Sequence, residues 1–422
     1  MNKLYDVAVV GAGIAGAATA LSLGKAGINV CLLDASNPLR SATEGSTDSD
    51  SQTLDHHEIK RECVDDFSPR VSAITPANAD WLSSIGAWQR LNEQQLLGYT
   101  RMHVWEELGS GEIHFDAADY QRPSLGFIVE NDSLLSALML AIADVPNIEC
   151  CFDKSIQTCR LNDERVHVIE CVGETIQARL LVGADGANSF VRRVLNIPTR
   201  EWDYDQSAIV CTVQTAQGHA MTAWQRFAEQ GPVAYLPLAD TLGHSDPSHG
   251  HFSSIVWSLD SVEAERVSAL DNGAFMRELA KALDTKLGEL KSVSARVKVP
   301  LRQRYAKRYT AKQAVLIGDA AHTIHPLAGQ GLNLGLGDAR ALVEVLVEAS
   351  QKSYDLAHPV LLERYQRARK VENLSMMLGM EGFKRLFGSS DPILRWLRNT
   401  GVNAVDRHTL IKRQIATRAM GL

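Results

Sequence analysis

Cysteine gives this chain no scaffold. Seven are present, an odd number, with no CxxC pair and no Cys/His spacing that suits a metal, so neither a disulfide framework nor a metal centre is expected. The adjacent Cys150 and Cys151, like the others, read as reduced packing residues. Long apolar runs are missing too: nothing approaches the roughly 20 residues that a membrane-spanning helix needs. The first strand pattern starts at Tyr5, which leaves no room for a charged leader, an apolar core and a cleavage site, and so a cytoplasmic chain is expected. No Ser/His/Asp triad and no paired carboxylates stand out. His56 and His57 are consecutive and point apart in most conformations, a poor pair of ligands. The net charge of −7 does not suit nucleic acid. It conceals an asymmetry, for residues 361–422 hold 12 Lys or Arg against 5 Asp or Glu. A basic end on an acidic body hints at contact with an anionic surface.

What is present begins with YDVAVVGAGIAGAATALSLGKAGINVCLLD. An apolar strand over 6–10 runs into a glycine turn, small residues continue at helical spacing through Leu23, Gly27 stops the helix, and 28–34 makes a second buried strand: a βαβ unit. Residues 36–66 are rich in Ser, Asp and Glu and read as a mobile loop. A helical pattern resumes in PANADWLSSIGAWQRL (76–91), followed by strand-like stretches at 101–105 and 112–115. A helix over 132–143 has Asp132 and Ser133 as candidate caps. Strands return in IECCF, VHVIECV and ARLLVGADGA, and 207–300 holds several β-rich runs interrupted by one helix near 271–287. AVLIGDA then adds a last framework strand, and 331–350 is helical. This order describes an α/β fold: a Rossmann-like domain with an inserted, mainly antiparallel sheet and a helical C-terminal segment.

GAGIAG (11–16) lies between a strand and a helix, the context in which GxGxxG carries weight. Gly11 permits the tight turn, Gly13 lets a pyrophosphate approach the backbone, and Gly16 lets helix and strand pack closely. The helix N-terminus meets the phosphate charge. Asp34 ends the second strand, where it accepts from ribose hydroxyls and repels a 2′-phosphate, which favours FAD or NAD over NADP. Some 300 residues later comes GDAAHTIHPLAGQGLNLGLGDA (318–339), in which a strand delivers Gly318 and Asp319 to its C-terminal end. Pro326 fixes a rigid turn, and the N–H groups near Gly331, Leu332 and Asn333 open a helix. A reduced flavin carries negative charge at its N1–C2=O edge, which a helix N-terminus suits. The two glycine runs are expected to hold one FAD from opposite ends.

The same run resembles the signature of the FAD-dependent aromatic hydroxylases of ubiquinone biosynthesis, and GADGANSFVRR (183–193) matches their Asp-Gly motif near FAD and the NAD(P)H approach route. The likeness continues through RVSAIT at Arg70, LGFIVEN at Leu125, WDYDQSAIV at Trp202 and the C-terminal LRNTGVNAVDRHTLIKRQIATRAMGL, and is strongest to bacterial members acting on 2-octaprenylphenol. Asp34 stands where Glu is more usual, and the 36–66 segment is longer than the family needs. The resemblance implies an FAD-binding domain over 1–200 and 301–350, with 36–68 a flexible loop. It also implies a substrate domain over 201–300 to which strands near 100–130 contribute, and a helical region over 351–422. It implies that Arg70 and Asn131 contact the flavin and that Asp185 organises the Asp-Gly loop. Pro326 and His325 become the catalytic candidates, and His322 a structural one. NADPH or NADH would reduce FAD, and O2 would deliver one oxygen atom through a flavin C4a-hydroperoxide to a polyprenylated phenol or quinol. No second GxGxxG is present, so the reductant binds transiently. Peripheral membrane contact through 375–422 and a complex with other enzymes of the pathway are also implied. The alternatives are attack at another ring position, a prenyl reductase, or a flavin-binding assembly subunit; the WxWxIP element of tryptophan halogenases is missing.

Overall fold

Leu4–Val10 runs straight into Gly11, whose φ of 106° suits glycine alone, and the chain turns there into the helix Ile14–Lys25. Every residue from 16 to 24 of that helix is buried. Their small side chains let it lie close on the sheet. Gly27, at φ 84°, donates to Gly24 O at 2.9 Å and ends it. The strand Val30–Leu33 then pairs parallel to the first, Val7 opposite Val30 and Val10 opposite Leu33. This computed structural model describes residues 3–38, 61–107, 111–240, 250–323 and 330–388, with 412–414, 417 and 420–421 near the C-terminus.

The centre of the first sheet is parallel, in the order Ala314–Leu316, Glu174–Gly183, Leu4–Val10, Val30–Leu33, Ile148–Cys151. Its inner strands are apolar without alternation because both faces are covered. The helices Ile14–Lys25, Asn131–Ala143 and Gln330–Gln351 pack around it, and Leu21, Leu32, Leu138, Leu181 and Leu336 share one core. A hairpin of Ile156–Leu161 and His167–Cys171 extends Glu174–Gly183 in antiparallel fashion.

A second sheet runs from His322–Thr323 through Val297–Ala306, Thr199–Thr215, Phe252–Asp260, Gly231–Pro237, Thr222–Ala228 and Arg101–Glu106 to the edge strand Glu112–Asp116. It is antiparallel except where Thr222–Ala228 meets Arg101–Glu106. Ile209, Tyr235, Ile255 and Trp257 form its core with Ala264, Val267, Phe275 and Leu279 of the helices Ser261–Ser268 and Asn272–Ala282. A small sheet of Val71–Ile74, Gly126–Glu130 and Leu96–Tyr99 joins the two layers, with Ala73 and Ile128 packed against Leu236 and Phe252.

Three expectations change. The helical pattern over 76–91 becomes the helix Pro76–Ser84, because Gly86 takes φ 77° and donates to Ser83 O at 3.0 Å. The next helix begins at Asn131, not 132, with Glu130 rather than Asp132 or Ser133 in the cap position. The Glu130 carboxylate makes no cap bond, being taken up by the buried Arg61 and by the Ser68 N–H at 3.2 Å. All seven cysteines are free as expected, but Cys150 alternates outward from Cys151 and is exposed, as is Cys63, so neither is a packing residue. His56 and His57, with most of the polar 36–66 segment, lie outside the described residues, and among the described residues no helix is long and apolar enough to cross a membrane.

Candidate functional site

Segments far apart in sequence wall a single cleft of about 660 Å³, within the range of about 300–1,000 Å³ usual for ligand sites. The first glycine run forms one side. A Cβ on Gly11 would fall 2.3 Å from Ala184 O, and one on Gly16 would fall 1.9 Å from Gly11 O. Both glycines are demanded by packing. A Cβ on Gly13 would meet nothing within 4 Å, because Gly13 faces the cleft. Beneath the turn, Asp34 Oδ2 accepts the Ala12 N–H at 2.7 Å while Oδ1 accepts the Ser36 N–H and hydroxyl, each at 2.9 Å. A carboxylate oxygen takes about two donors, so Oδ2 retains capacity for one more.

The opposite wall comes from the end of the chain. Ala314–Leu316 delivers Gly318, at φ 56°, and Asp319 to the C-terminal edge of the parallel strands, where open α/β sheets bind ligands. Gly318 and Gly335 let three segments meet: a Cβ on Gly335 would lie 3.3 Å from Gly318 Cα, and one on Gly318 3.6 Å from Ala15 Cβ. The Asp319 side chain is exposed to the cleft, yet protein encloses the cleft around it, and this burial raises its carboxyl above the ordinary value. Gly331 and Leu332, in the first turn of Gln330–Gln351, also line the cleft. The Asn333 side chain serves another purpose. Its Oδ1 accepts from Thr75 N at 3.0 Å and Asn78 Nδ2 at 2.9 Å, and its Nδ2 donates to Ala73 O at 2.6 Å. It clamps the start of the helix to the strand Val71–Ile74, whose Val71 and Ser72 face the cleft.

Arg70 is exposed, and its carbonyl accepts the Asn131 N–H at 3.0 Å. Asn131 lines the cleft, and its Oδ1 is buried without a hydrogen-bond partner among the described residues, as is Thr323 Oγ1 in the same wall. In the Asp-Gly loop, Asp185 Oδ2 caps the short helix Phe190–Val194 through Val191 N at 3.0 Å, while its Oδ1 is a third such orphan. A group bound in the cleft would give these oxygens the partners that buried polar atoms ordinarily have. Buried Arg192 donates to Ala187 O at 2.6 Å and Ala320 O at 2.8 Å, tying the loop to the residue after Asp319. Arg304 bonds the same Ala187 carbonyl and holds Glu201 at 2.7 Å. Beside it opens a second hollow of about 440 Å³, where Arg192, Arg193, Glu201 and Arg304 meet; it shares Asn188 and Arg304 with the cleft.

Behind Gly318 lies a buried polar network. Asp338 Oδ2 accepts from Gly318 N at 3.0 Å and stands 2.5 Å from His322 Nε2, while Oδ1 accepts from Arg369 Nε at 2.8 Å and Asn373 Nδ2 at 3.0 Å. Burial by itself would raise the Asp338 carboxyl, but the facing charges and bonds of His322 and Arg369 hold it at about 2. His322 is a buried member of this network, behind Gly318.

Of the expected residues, Gly13, Asn131, Gly318, Asp319, Gly331 and Leu332 line the cleft, Gly11, Gly16, Asp34 and Asp185 shape the segments beside it, Arg70 is exposed next to Asn131, and the Asn333 side chain bonds Thr75, Asn78 and Ala73. His325 and Pro326, the catalytic candidates, lie outside the described residues. Asp338, Arg192 and Arg304 were missed. The mark of Asp338 is its spacing, seven positions after Gly331 and three after Gly335, which puts it on the helix face that meets Gly318. Nothing in the sequence separates buried Arg192 from exposed Arg193.

Comparison with known proteins agrees with this geometry. Residues 4–375 match the FAD binding domain family. The chain is 33% identical to 3-demethoxyubiquinol 3-hydroxylase of Escherichia coli (strain K12), over 100% of both proteins. It is 32% identical to the mitochondrial ubiquinone biosynthesis monooxygenase COQ6 of Homo sapiens, over 98% of this chain and 92% of that one. In fold it is similar to the crystal structure of p-nitrophenol 4-monooxygenase PnpA from Pseudomonas putida DLL-E4, with a TM-score of 0.74 at 19% identity, over 100% of this chain and 99% of that one. A cleft walled by two glycine runs, with three orphaned polar oxygens around it, fits the flavin cofactor of these relatives. The chain belongs to the FAD binding domain family, as an FAD-dependent aromatic hydroxylase.

Proposed function

We propose that this protein is an NAD(P)H-dependent monooxygenase that hydroxylates the ring of a polyprenylated phenol or quinol in ubiquinone biosynthesis. The observation that carries the reading is the continuity of one cleft: the strand Val297–Ala306 of the second sheet forms part of the same wall system as Gly13 and Asp319. Bound FAD supplies the redox chemistry between reduced nicotinamide and O2. The chain's own residues hold and orient. Gly13 and the opening N–H groups of Ile14–Lys25 would receive the diphosphate, and Asp34 and Asp319 would accept from hydroxyl groups. Asn131 and the Asp185 loop would complete the middle of the cofactor. The amides near Gly331 and Leu332 would stand beside the electron-rich edge of the ring. Val299, Pro300 and Leu301 supply apolar surface against which a phenol excludes water. Pro326 and His325 are proposed beside the reacting ring on sequence grounds.

The arginine-lined hollow sharing Asn188 and Arg304 with the cleft supports transient docking of the reductant's phosphates. Peripheral contact with an anionic bilayer is part of the same proposal. Val371 and Leu378 are 69% and 72% exposed and lie seven positions apart on the helix Pro359–Gly388, where the chain is basic. The same apolar pair would suit another enzyme of the pathway, and vesicle binding separates the two. The decisive experiment incubates the purified yellow protein with NADH or NADPH, O2 and a short-chain prenylphenol, and identifies products by mass spectrometry and NMR. One added oxygen on the ring is expected. Oxygen uptake that yields peroxide and no hydroxylated phenol, across candidate phenols, would defeat the proposal.

A further inference from the structure

At the edge of the second sheet opposite the cleft, Arg101–Glu106 and Glu112–Asp116 pair antiparallel, with His103 across from His114 and Trp105 across from Glu112. Side chains two apart on a strand share a face, so His103, Glu112 and His114 project together. The two imidazoles stack with centroids 3.9 Å apart and planes 25° apart; since an imidazole lone pair lies in the ring plane, sharing an ion requires the exposed His114 ring to turn out of the stack. Glu112 Oε2 lies 3.3 Å from His103 Nε2 and 3.6 Å from His114 Nε2, and one donor atom from each residue falls within 4.8 Å of the other two. A zinc ion with bonds of about 2.0–2.1 Å in tetrahedral array sets its ligand atoms roughly 3.3 Å apart. His103 is buried beside the rings of Trp105 and Trp224, at 5.1 and 5.2 Å, while Glu112 and His114 are exposed, so the cluster is anchored below and reachable from solvent.

We propose that His103, Glu112 and His114 form a site for a divalent transition ion, zinc foremost, that clasps the edge strand to its neighbour. Two imidazoles and one carboxylate suit zinc, nickel or copper; magnesium and calcium take oxygen ligands. The Lys286 ammonium stands 5.6 Å from the centroids of both Trp105 and Trp224. Arg226, on the adjoining strand, is occupied by Glu107 at 3.4 Å and by the carbonyls of Lys281 and Ala282. The ammonium opposes every dication by charge, so binding rests on the two imidazole lone pairs and the carboxylate. Three protein ligands leave a fourth position for water.

The test titrates zinc chloride by calorimetry into untagged, chelator-stripped holoprotein at pH 7.5. One equivalent is expected in the wild type, with His114→Ala and Glu112→Gln each binding at least tenfold more weakly. Both residues are exposed, so flavin absorbance and thermal midpoint should stay at wild-type values and separate loss of ligation from loss of fold. Copper(II) gives a second reading: it should quench tryptophan emission in the wild type and lose most of that effect in His114→Ala. No zinc uptake by the wild type, or equal uptake and equal quenching in the variants, overturns the site and leaves a hydrogen-bonded clasp without metal.

Discussion

Replacing Asn333 by alanine tests whether the start of the helix Gln330–Gln351 is held in place by its side chain. The substitution removes three hydrogen bonds at once, to Thr75 N, Asn78 Nδ2 and Ala73 O. Asn78 keeps its 3.2 Å bond to the Asn333 carbonyl, so the groups left wanting are the Thr75 N–H and the Ala73 carbonyl, both in residues only 8% exposed. A buried polar group that loses its partner costs about 1–3 kcal/mol. Two of them make a loss of roughly 3 kcal/mol after some relaxation, measured by urea unfolding of the apoprotein. The helix start must then be re-seated when cofactor binds, and every 1.4 kcal/mol spent there weakens binding about tenfold. FAD titration by fluorescence should therefore give a dissociation constant at least tenfold higher. Asn78→Ala is the internal control: Asn333 Oδ1 keeps its bond from Thr75, and the cost should be about 1 kcal/mol. If Asn333→Ala binds FAD within twofold of the wild type, or if Asn78→Ala costs as much as Asn333→Ala, the reasoning from orphaned groups is wrong.

Gly13→Ala and Gly16→Ala should part company. The first introduces a methyl with no protein neighbour within 4 Å and should change apoprotein stability by at most about 1 kcal/mol while weakening FAD binding at least tenfold; the second collides with Gly11 O and should yield little folded protein. Equal FAD affinity in Gly13→Ala would move the diphosphate elsewhere. The Asp338 carboxyl, held at about 2 against an ordinary value of 3.8, contributes stability that is complete above about pH 4 and is lost as pH falls toward 2. Asp338→Asn should be less stable at pH 7 by about 3 kcal/mol, because it strips buried Arg369 of a partner, and its urea midpoint should fall less steeply than the wild type's between pH 4 and 2. Parallel acid limbs would count against the assignment. Val371→Glu with Leu378→Glu should abolish sedimentation with anionic vesicles and leave NAD(P)H oxidation in detergent unchanged; undiminished sedimentation would remove the bilayer reading.

The local parts of the fold were readable because their causes are local. The βαβ opening follows from an apolar run, a glycine turn and Gly27, and Asp34 is marked by its position at the end of a strand. The second glycine run was legible as a ligand-facing turn since only close approach explains so many small residues around Gly318 and Gly335. What escaped depends on partners distant in sequence. Asn333 enters the sequence reading through its backbone N–H alone, and nothing there shows that Ala73 and Thr75, some 260 positions away, claim its side chain. Asp338 reads as an ordinary helix position until Arg369 and His322 surround it. Glu130 takes the cap position expected of Asp132 or Ser133, and its carboxylate goes to distant Arg61. Likewise His103 and His114 carry no motif, for their meeting is a matter of hairpin register.

The parallel sheet takes its first strand from residue 4 and its last from residue 314. During synthesis, four of the five parallel strands exist long before the fifth leaves the ribosome, and the flank of Glu174–Gly183 that Ala314–Leu316 later covers is bare meanwhile. A ligand that needs both walls can act on the completed protein alone, and it then stabilises by mass action. Scarcity of FAD would thus leave the lifetime of the bare flank unchanged and be felt by completed molecules as stabilisation not gained, with degradation rising before any shortage of turnover was noticed.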